Sequence, residues 1–374
     1  MTEPIPLALP ETGAEELAAL QAVLASGQLS RGPQLPAFEQ AMAQLTNCQG
    51  AVGINSGTVG LQIAMEAMGI GPGDEVIAPA YTFVGSINAI ARVGASTVLV
   101  DIEPDSLNID PNAVARAITP RTKAIMVVHL FGRPANMQAL TELAREHQLK
   151  LIEDACEAIG ALSQGRPTGG LGDAGVFGFY PNKPVATGEG GMITANDPEF
   201  LRRCRQLRNQ GNDTDSATRH AELPGHSARL SELHAALGVV QLKRLQASLE
   251  KRARVADWYL ERLTRHRELE LPPPAPAGDT LAWFTFPLRI RGISVGQRDR
   301  IMAAIQAAGV ACGTYFEPVH WLAYHRGRHH EHAMPVTEDI GQRCLALPLF
   351  PSMSESQVER ACDALLNALS AELG

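Results

Sequence analysis

Two residues in this chain have the types and setting to do chemistry together. Lys183 lies in a short turn between the aromatic run Val176-Phe177-Gly178-Phe179-Tyr180 and the glycine-rich Gly188-Glu189-Gly190-Gly191. Asp154 follows the apolar run at 149–152 and sits in the sequence Glu153-Asp154-Ala155. A desolvated lysine gives up its proton more readily and can act as an amine nucleophile and proton shuttle. A carboxylate can pair with a protonated pyridine nitrogen. A lysine and a carboxylate so placed can hold pyridoxal phosphate, the amine forming the imine and the acid making the ring an electron sink. Taken singly, each has a plainer role, as a solvated lysine and as a surface or N-capping aspartate.

Three further segments invite a ligand. Asn55-Ser56-Gly57-Thr58 lies between a strand pattern and a helix pattern, where backbone N–H groups at a helix N-terminus suit a phosphate. The plainer alternative there is an N-cap by Ser56 or Thr58, with Gly57 easing the turn. Phe83, after Tyr81-Thr82, can stack on a cofactor ring or simply fill the core. Gly170-Leu171-Gly172-Asp173-Ala174-Gly175 fits the dinucleotide fingerprint, but that fingerprint needs a strand before it and a helix after it. Here a Gly/Pro-rich loop precedes and an aromatic strand follows, which argues against nicotinamide or flavin. His325, His329, His330 and His332, with Glu331, match no ligand spacing for a metal and are expected in a solvated polar loop.

The elements that must position these residues alternate between helix and strand from about residue 14 to 245, which implies a largely parallel sheet covered by helices. Strands are expected at 51–54, 75–78, 96–100, 124–128, 149–152, 174–180 and 191–195, most of them apolar runs suited to a sheet covered on both faces. Asp154 then lies beyond a strand C-terminus, where doubly wound sheets bind ligands. Leu61, Ala64, Met65 and Met68 recur at helical spacing up to Gly69, and Leu233–Leu249 reads as one long helix. After the stiff punctuation Leu271–Gly278, strands at 283–290 and 345–349 and helices at 295–308 and 354–371 suggest a smaller α+β unit.

At 374 residues the chain is long enough for two domains, and 45% apolar with 19% charged residues is ordinary for a soluble globular protein. A net charge of −8 argues against nucleic acid or an acidic membrane as a partner. The six cysteines are scattered without metal-site spacing, as expected for free thiols in a reducing cytoplasm. No leader pattern and no long apolar window point to secretion or a membrane span.

In order along the chain, these segments resemble the DegT/StrS-type family of sugar aminotransferases, a branch of the fold-type I pyridoxal-phosphate enzymes. The resemblance runs from Ser26-Gly27-Gln28-Leu29-Ser30-Arg31-Gly32 and Phe38-Glu39 through Asn55–Thr58, Gly73–Ile77, Thr82-Phe83, Val100-Asp101, Val128-His129 and Glu153–Ala155. It continues through Lys183, Gly188–Gly191, Arg229–Leu233, Ala235–Gly238, Gln241-Leu242, Pro318-Val319-His320 and Leu347–Leu349. It implies a three-layer α/β/α large domain with a mostly parallel mixed sheet (residues 1–245) and a smaller C-terminal α+β domain (246–374). It also implies a homodimer with shared active sites.

By the same resemblance, Lys183 is the Schiff-base lysine, Asp154 the partner of the pyridine nitrogen, Phe83 the stacking aromatic, and Gly57 and Thr58 phosphate contacts. Glu157 stands where the family more often has glutamine, near the cofactor's 3′-oxygen, and a second carboxylate there must be protonated or turned away. Two departures concern the phosphate. Gly178 replaces a serine in an F-S-F motif, and Ser227 replaces an asparagine that the partner subunit contributes in a G-x-N-[YF]-[RK] motif. Two lost donors weaken anchorage by roughly 1–3 kcal/mol each unless His226, Arg229 or backbone N–H groups compensate. Arg31, Arg229 and His320 are substrate-contact candidates. The implied reaction carries an amino group from L-glutamate to a keto-sugar, nucleotide-linked by expectation. Lys183 argues against the dehydratase branch, which has histidine there. A keto-cyclitol aminotransferase or aminobenzoate-type synthase would carry the same motifs, and a non-catalytic regulatory relative would not need Lys183 and Asp154.

Overall fold

The computed structural model describes residues 3–212, 221–328 and 330–374. Its main sheet has eight strands in the spatial order Gly50–Ile54, Gly191–Ala195, Ala174–Gly178, Lys150–Asp154, Thr122–Val128, Glu75–Pro79, Ser96–Val100 and His330–Glu331. Only Gly191–Ala195 runs antiparallel to its neighbours; the other pairings are parallel.

Period-two alternation builds the layers. Val52, Val76, Ala78, Leu99, Met126, Ile152, Val176 and Ile193 face one core with the helices Gly57–Ala67, Val84–Arg92 and Pro198–Arg208. On the opposite face, Ile77, Val98, Ile125, Val127 and Leu151 pack on the helices Pro111–Ala117 and Met137–Glu146. Phe177 and Met192 continue that face against Gln34–Thr46. Because both faces are covered, the strands read as apolar runs. The fold is the three-layer α/β/α arrangement.

The C-terminal part adds an antiparallel sheet, Leu269–Glu270, Phe286–Ile290 and Cys344–Leu347. Its core includes Tyr259, Phe286, Ile301, Leu345 and Leu365, with Ile5 from the start of the chain.

Three expectations are corrected. The span 233–249 is two helices, Glu232–Lys243 and Leu245–Leu263, broken at Arg244. Ala235 faces the core around Phe38, whereas Val255, Ala256, Tyr259 and Leu263 face the C-terminal core. The apolar period runs through the break unchanged, so periodicity alone joined them. The strand at 283–290 begins only at Phe286, because Ala282 and Phe284 donate their N–H groups to Gly132 and Phe131. The histidine-rich segment is not a uniformly solvated loop: His325 is 2% exposed with Nε2 3.0 Å from Asn88 Oδ1, and residues 330–331 pair with Val98 and Leu99. His329 lies outside the described residues. Among those residues no His, Cys, Asp and Glu cluster is placed to hold a metal, and no helix is long and apolar enough to cross a membrane.

The Gly170–Gly175 loop has a structural task. Gly169, Leu171 and Gly172 donate their N–H groups to the buried Glu153 carboxylate at 2.7–2.8 Å. His129 Nε2 approaches the same carboxylate at 2.9 Å. His129 Nδ1 accepts from Ala135 N–H, so its ring proton sits on Nε2 and donates to Glu153. These N–H groups are spent on a side chain and do not face a dinucleotide. Glu153→Ala therefore orphans several buried donors, and urea unfolding should show a loss of about 3 kcal/mol or more.

Candidate active site

A cavity of about 340 Å³ opens where the parallel strands end. The C-terminal ends of Ala174–Gly178 and Lys150–Asp154 contribute Gly178 and Asp154, and the turn after Glu75–Pro79 contributes Thr82 and Phe83. Since Gly191–Ala195 runs backward, its start also lies at this edge, and the 179–190 loop leading to it carries Lys183. The chain reverses its filling direction across the sheet between Ser96–Val100 and Thr122–Val128, on either side of Glu75–Pro79. That reversal creates the crevice at strand ends used for ligands in such sheets.

Lys183, 15% exposed at its side chain, points Nζ to 3.4 Å from Glu157 Oε1 and 4.0 Å from the centre of the Phe284 ring. Its backbone N–H closes a turn onto Tyr180 C=O at 2.9 Å. The solvated-lysine alternative therefore fails. Asp154 is buried, and both its oxygens are engaged. Ser86 donates its hydroxyl to Oδ2 at 2.7 Å, and Cys156 donates its N–H to Oδ1 at 3.1 Å. These two donors fix the direction of the carboxylate at the cavity wall.

Glu157 answers the question its residue type raised. Its Oε2 accepts from Phe131 N–H at 2.8 Å while Oε1 faces Lys183. Burial raises its pKa, and the Lys183 charge and the Phe131 N–H oppose that rise.

Ser56 caps the Gly57–Ala67 helix, its hydroxyl accepting from Val59 N–H at 3.2 Å, and Gly57 and Thr58 line the cavity. The need for glycine at 57 is not a turn but a close approach. A Cβ there would lie 2.7 Å from Cys156 Sγ and 3.3 Å from Gly178 Cα. A Cβ at 178 would lie 3.3 Å from the same sulfur, a tight contact that a side chain there would relieve only by displacing the thiol a few tenths of an ångström. Phe83 is 56% exposed at the cavity rim, its ring 5.9 Å from that of Phe316, which removes the core-packing alternative.

The structure thus brings Gly57, Thr58, Phe83, Asp154, Glu157 and Lys183 into one cavity. It does not bring Arg31, Ser227, Arg229 or His320 there. Ser227 and Arg229 lie on a segment that bridges to Asn209 and to Ile54 at the sheet edge, and Arg229 bonds Ser227 Oγ and Asn209 Oδ1. His226 is paired with Glu66 at 2.7 Å. Arg31 is exposed at positive φ, and the His320 ring is buried against Trp321 without a hydrogen bond.

Sequence reasoning missed several wall residues. Ser86 was within reach, three positions after Phe83 and so on the same helical face. Phe284, Tyr315 and Phe316 come from the C-terminal part, and nothing local in the sequence marks them.

A family model for the DegT/DnrJ/EryC1/StrS aminotransferase family matches residues 10–366. The chain belongs to this family. Its members depend on pyridoxal phosphate. Among solved structures, the chain is similar to the aminotransferase TlmJ from Streptoalloteichus hindustanus at 35% identity, covering 99% of this chain and 100% of that one with a TM-score of 0.93. It is also similar to DesV from S. venezuelae, at 36% identity, 98% and 99% coverage and a TM-score of 0.91. A third is 3-amino-5-hydroxybenzoic acid synthase, at 28% identity, 99% and 100% coverage and a TM-score of 0.93.

The Lys183–Glu157 contact has a consequence for stability. In Lys183→Ala the Glu157 carboxyl stays buried without its cation, so its folded pKa rises further above the unfolded value. A carboxyl with a raised folded pKa binds its proton more tightly in the folded state, so stability falls as pH rises from the unfolded pKa to the folded one. Lys183→Ala should therefore cost little in acid and roughly 1–3 kcal/mol near neutral pH. Adding Glu157→Gln should restore most of that loss, as denaturant titrations of the cofactor-free proteins would show.

Proposed function

We propose that this protein is a pyridoxal-phosphate-dependent aminotransferase that moves an amino group from L-glutamate to a keto-sugar, the sugar being linked to a nucleotide. The observation that carries this reading is the convergence of Lys183 and a buried, donor-oriented Asp154 on one cavity, in a chain of an aminotransferase family. The cavity's chemistry fits the cofactor. It offers an amine, a buried carboxylate with no cation of its own, a helix N-terminus at Gly57, and Asn182 Oδ1 buried at the wall without a hydrogen-bond partner.

When bound, the cofactor supplies an electron sink for the amino acid's Cα. Lys183 Nζ would hold it and carry a proton between donor and acceptor. Asp154 would hold a proton on the ring nitrogen, with Ser86 and the Cys156 N–H fixing the carboxylate's direction. Phe83 would cover one face, and Gly57 and Thr58 would receive the phosphate at their helix terminus. Phe284, Tyr315 and Phe316 exclude water from the lysine side and raise the weight of each charge inside.

We further read the active unit as a homodimer. The placement of Ser227, Arg229, His226 and Arg31 outside this cavity supports a role at a partner's cavity, as phosphate and substrate contacts, with His320 as a further substrate-contact candidate. The domains would be 1–245 and 246–374, with Ile5 packed into the second core, and the cytoplasm is the compartment that the free thiols suit. Similarity to 3-amino-5-hydroxybenzoic acid synthase favours a second reading, a keto-cyclitol or aminobenzoate-type acceptor.

The purified protein should turn yellow with pyridoxal phosphate and lose that visible band on addition of L-glutamate. Lys183→Ala should lower transamination at least about 10²–10⁴-fold. A protein that stays colourless, or a fully active Lys183→Ala, would sink the enzyme reading. A panel of keto-sugar nucleotides against keto-cyclitols separates the two acceptors.

A further inference from the structure

Glu157 has no task in the reading above, and its surroundings suggest one. Its carboxylate is buried with two contacts that pull in different directions. Oε2 is fixed by Phe131 N–H at 2.8 Å, in a turn where Phe131 itself takes positive φ. Oε1 is left to face Lys183 Nζ at 3.4 Å. On its other side Nζ meets the Phe284 ring at 4.0 Å. The ammonium is therefore held between an aromatic face and a carboxylate whose Oε1 is within reach of its proton.

The other titratable groups that face this pair are Asp154 and Cys156 from the same turn and Tyr315 from the C-terminal part. Burial pushes the Cys156 thiol and the Tyr315 hydroxyl up, so both stay protonated. Asp154 already has a donor on each oxygen. Among these groups Glu157 Oε1 is the oxygen that Nζ contacts. Inside a low-dielectric site a neutral amine beside a neutral carboxylic acid competes with the ion pair, because desolvation disfavours both charges.

We propose that Glu157 is a positioning residue that aims Lys183 into the cavity and shares one proton with it, so that the neutral amine forms by transfer from Nζ to Glu157 Oε1 without loss of a proton to water. The transfer is balanced within the pair: ammonium and carboxylate become amine and carboxylic acid, with no net change in charge. This rests on Lys183 being the amine that captures the cofactor aldehyde. It gives the glutamate a function that the neutral amide of glutamine cannot supply.

The test uses the cofactor-free full-length protein and pyridoxal phosphate as the probe, following visible absorbance as the lysine captures it between about pH 6 and 9. A proton that stays in the pair makes the wild-type capture rate nearly independent of pH, changing less than about threefold over that range. Glu157→Gln keeps an oxygen for Phe131 N–H but loses the acceptor, so its rate should climb about tenfold per pH unit on the acid side, as for an amine that must release its proton to solvent. Equal slopes in the two proteins would overturn the proposal, and so would a steep wild-type profile, which needs no variant. Infrared spectra of the wild type at neutral pH should also contain a buried carboxylic-acid band that Glu157→Gln lacks. If neither protein develops a visible band, the cofactor reading itself fails; capture with equal slopes leaves that reading intact and removes only the role of Glu157.

Discussion

Three carboxylates within five residues, Glu153, Asp154 and Glu157, are buried at the end of one strand, and the rest of the site is arranged to answer them. An unanswered buried charge costs several kcal/mol. Glu153 faces one side of the sheet and gathers three backbone N–H groups and His129. Asp154, one residue later and so on the other side, takes a serine hydroxyl and one N–H group. Glu157 takes one N–H group and the lysine. The first is saturated and serves the fold. The second keeps lone pairs for an occupant, and the third shares its charge with an amine. Function tracks how completely each charge is satisfied.

Much of this was legible in the sequence. Apolar runs gave the strands, and Asp154 and Lys183 were recognisable because their neighbours place them at strand ends. The Ser56 cap and the non-nucleotide character of the Gly170–Gly175 loop followed from local order. Other features were not legible, for physical reasons. Hydrophobic period cannot register a break such as Arg244, after which the second helix starts on the core around Phe38 with Leu245 and passes to the C-terminal core by Val255. Nor can it identify Phe284, Tyr315 and Phe316, whose contact with Lys183 depends on how the C-terminal part docks. Gly57 and Gly178 looked like a turn residue and a missing donor. Gly57 instead makes room for the Cys156 sulfur, which Gly178 also approaches, a relation visible only when three chain segments are in contact.

The cavity is thus a joint product of two parts of the chain. The large sheet supplies the charged floor through its strand ends. The C-terminal part supplies an aromatic wall, held by the buried Arg252 guanidinium, which donates to the carbonyls of Trp283, Phe284 and Leu349. Charge is contributed where the backbone is most rigid and apolar cover where two units meet.

The reversed strand Gly191–Ala195 has one more consequence. Asp154 ends a strand reached through the helix Met137–Glu146, so its placement depends on a helix packed against the sheet. Lys183 instead rides on a hairpin whose two strands pair Gly178 with Gly191, and whose base is fastened by Phe179 N–H to Gly190 C=O at 2.9 Å. Its aim is thus a matter of strand register. A slip of one residue would turn alternate side chains to the opposite face and carry the amine away from Asp154. The most reactive group in the protein is therefore carried to its site by a backbone ladder, like a tooth on a rack, before any side chain aims it.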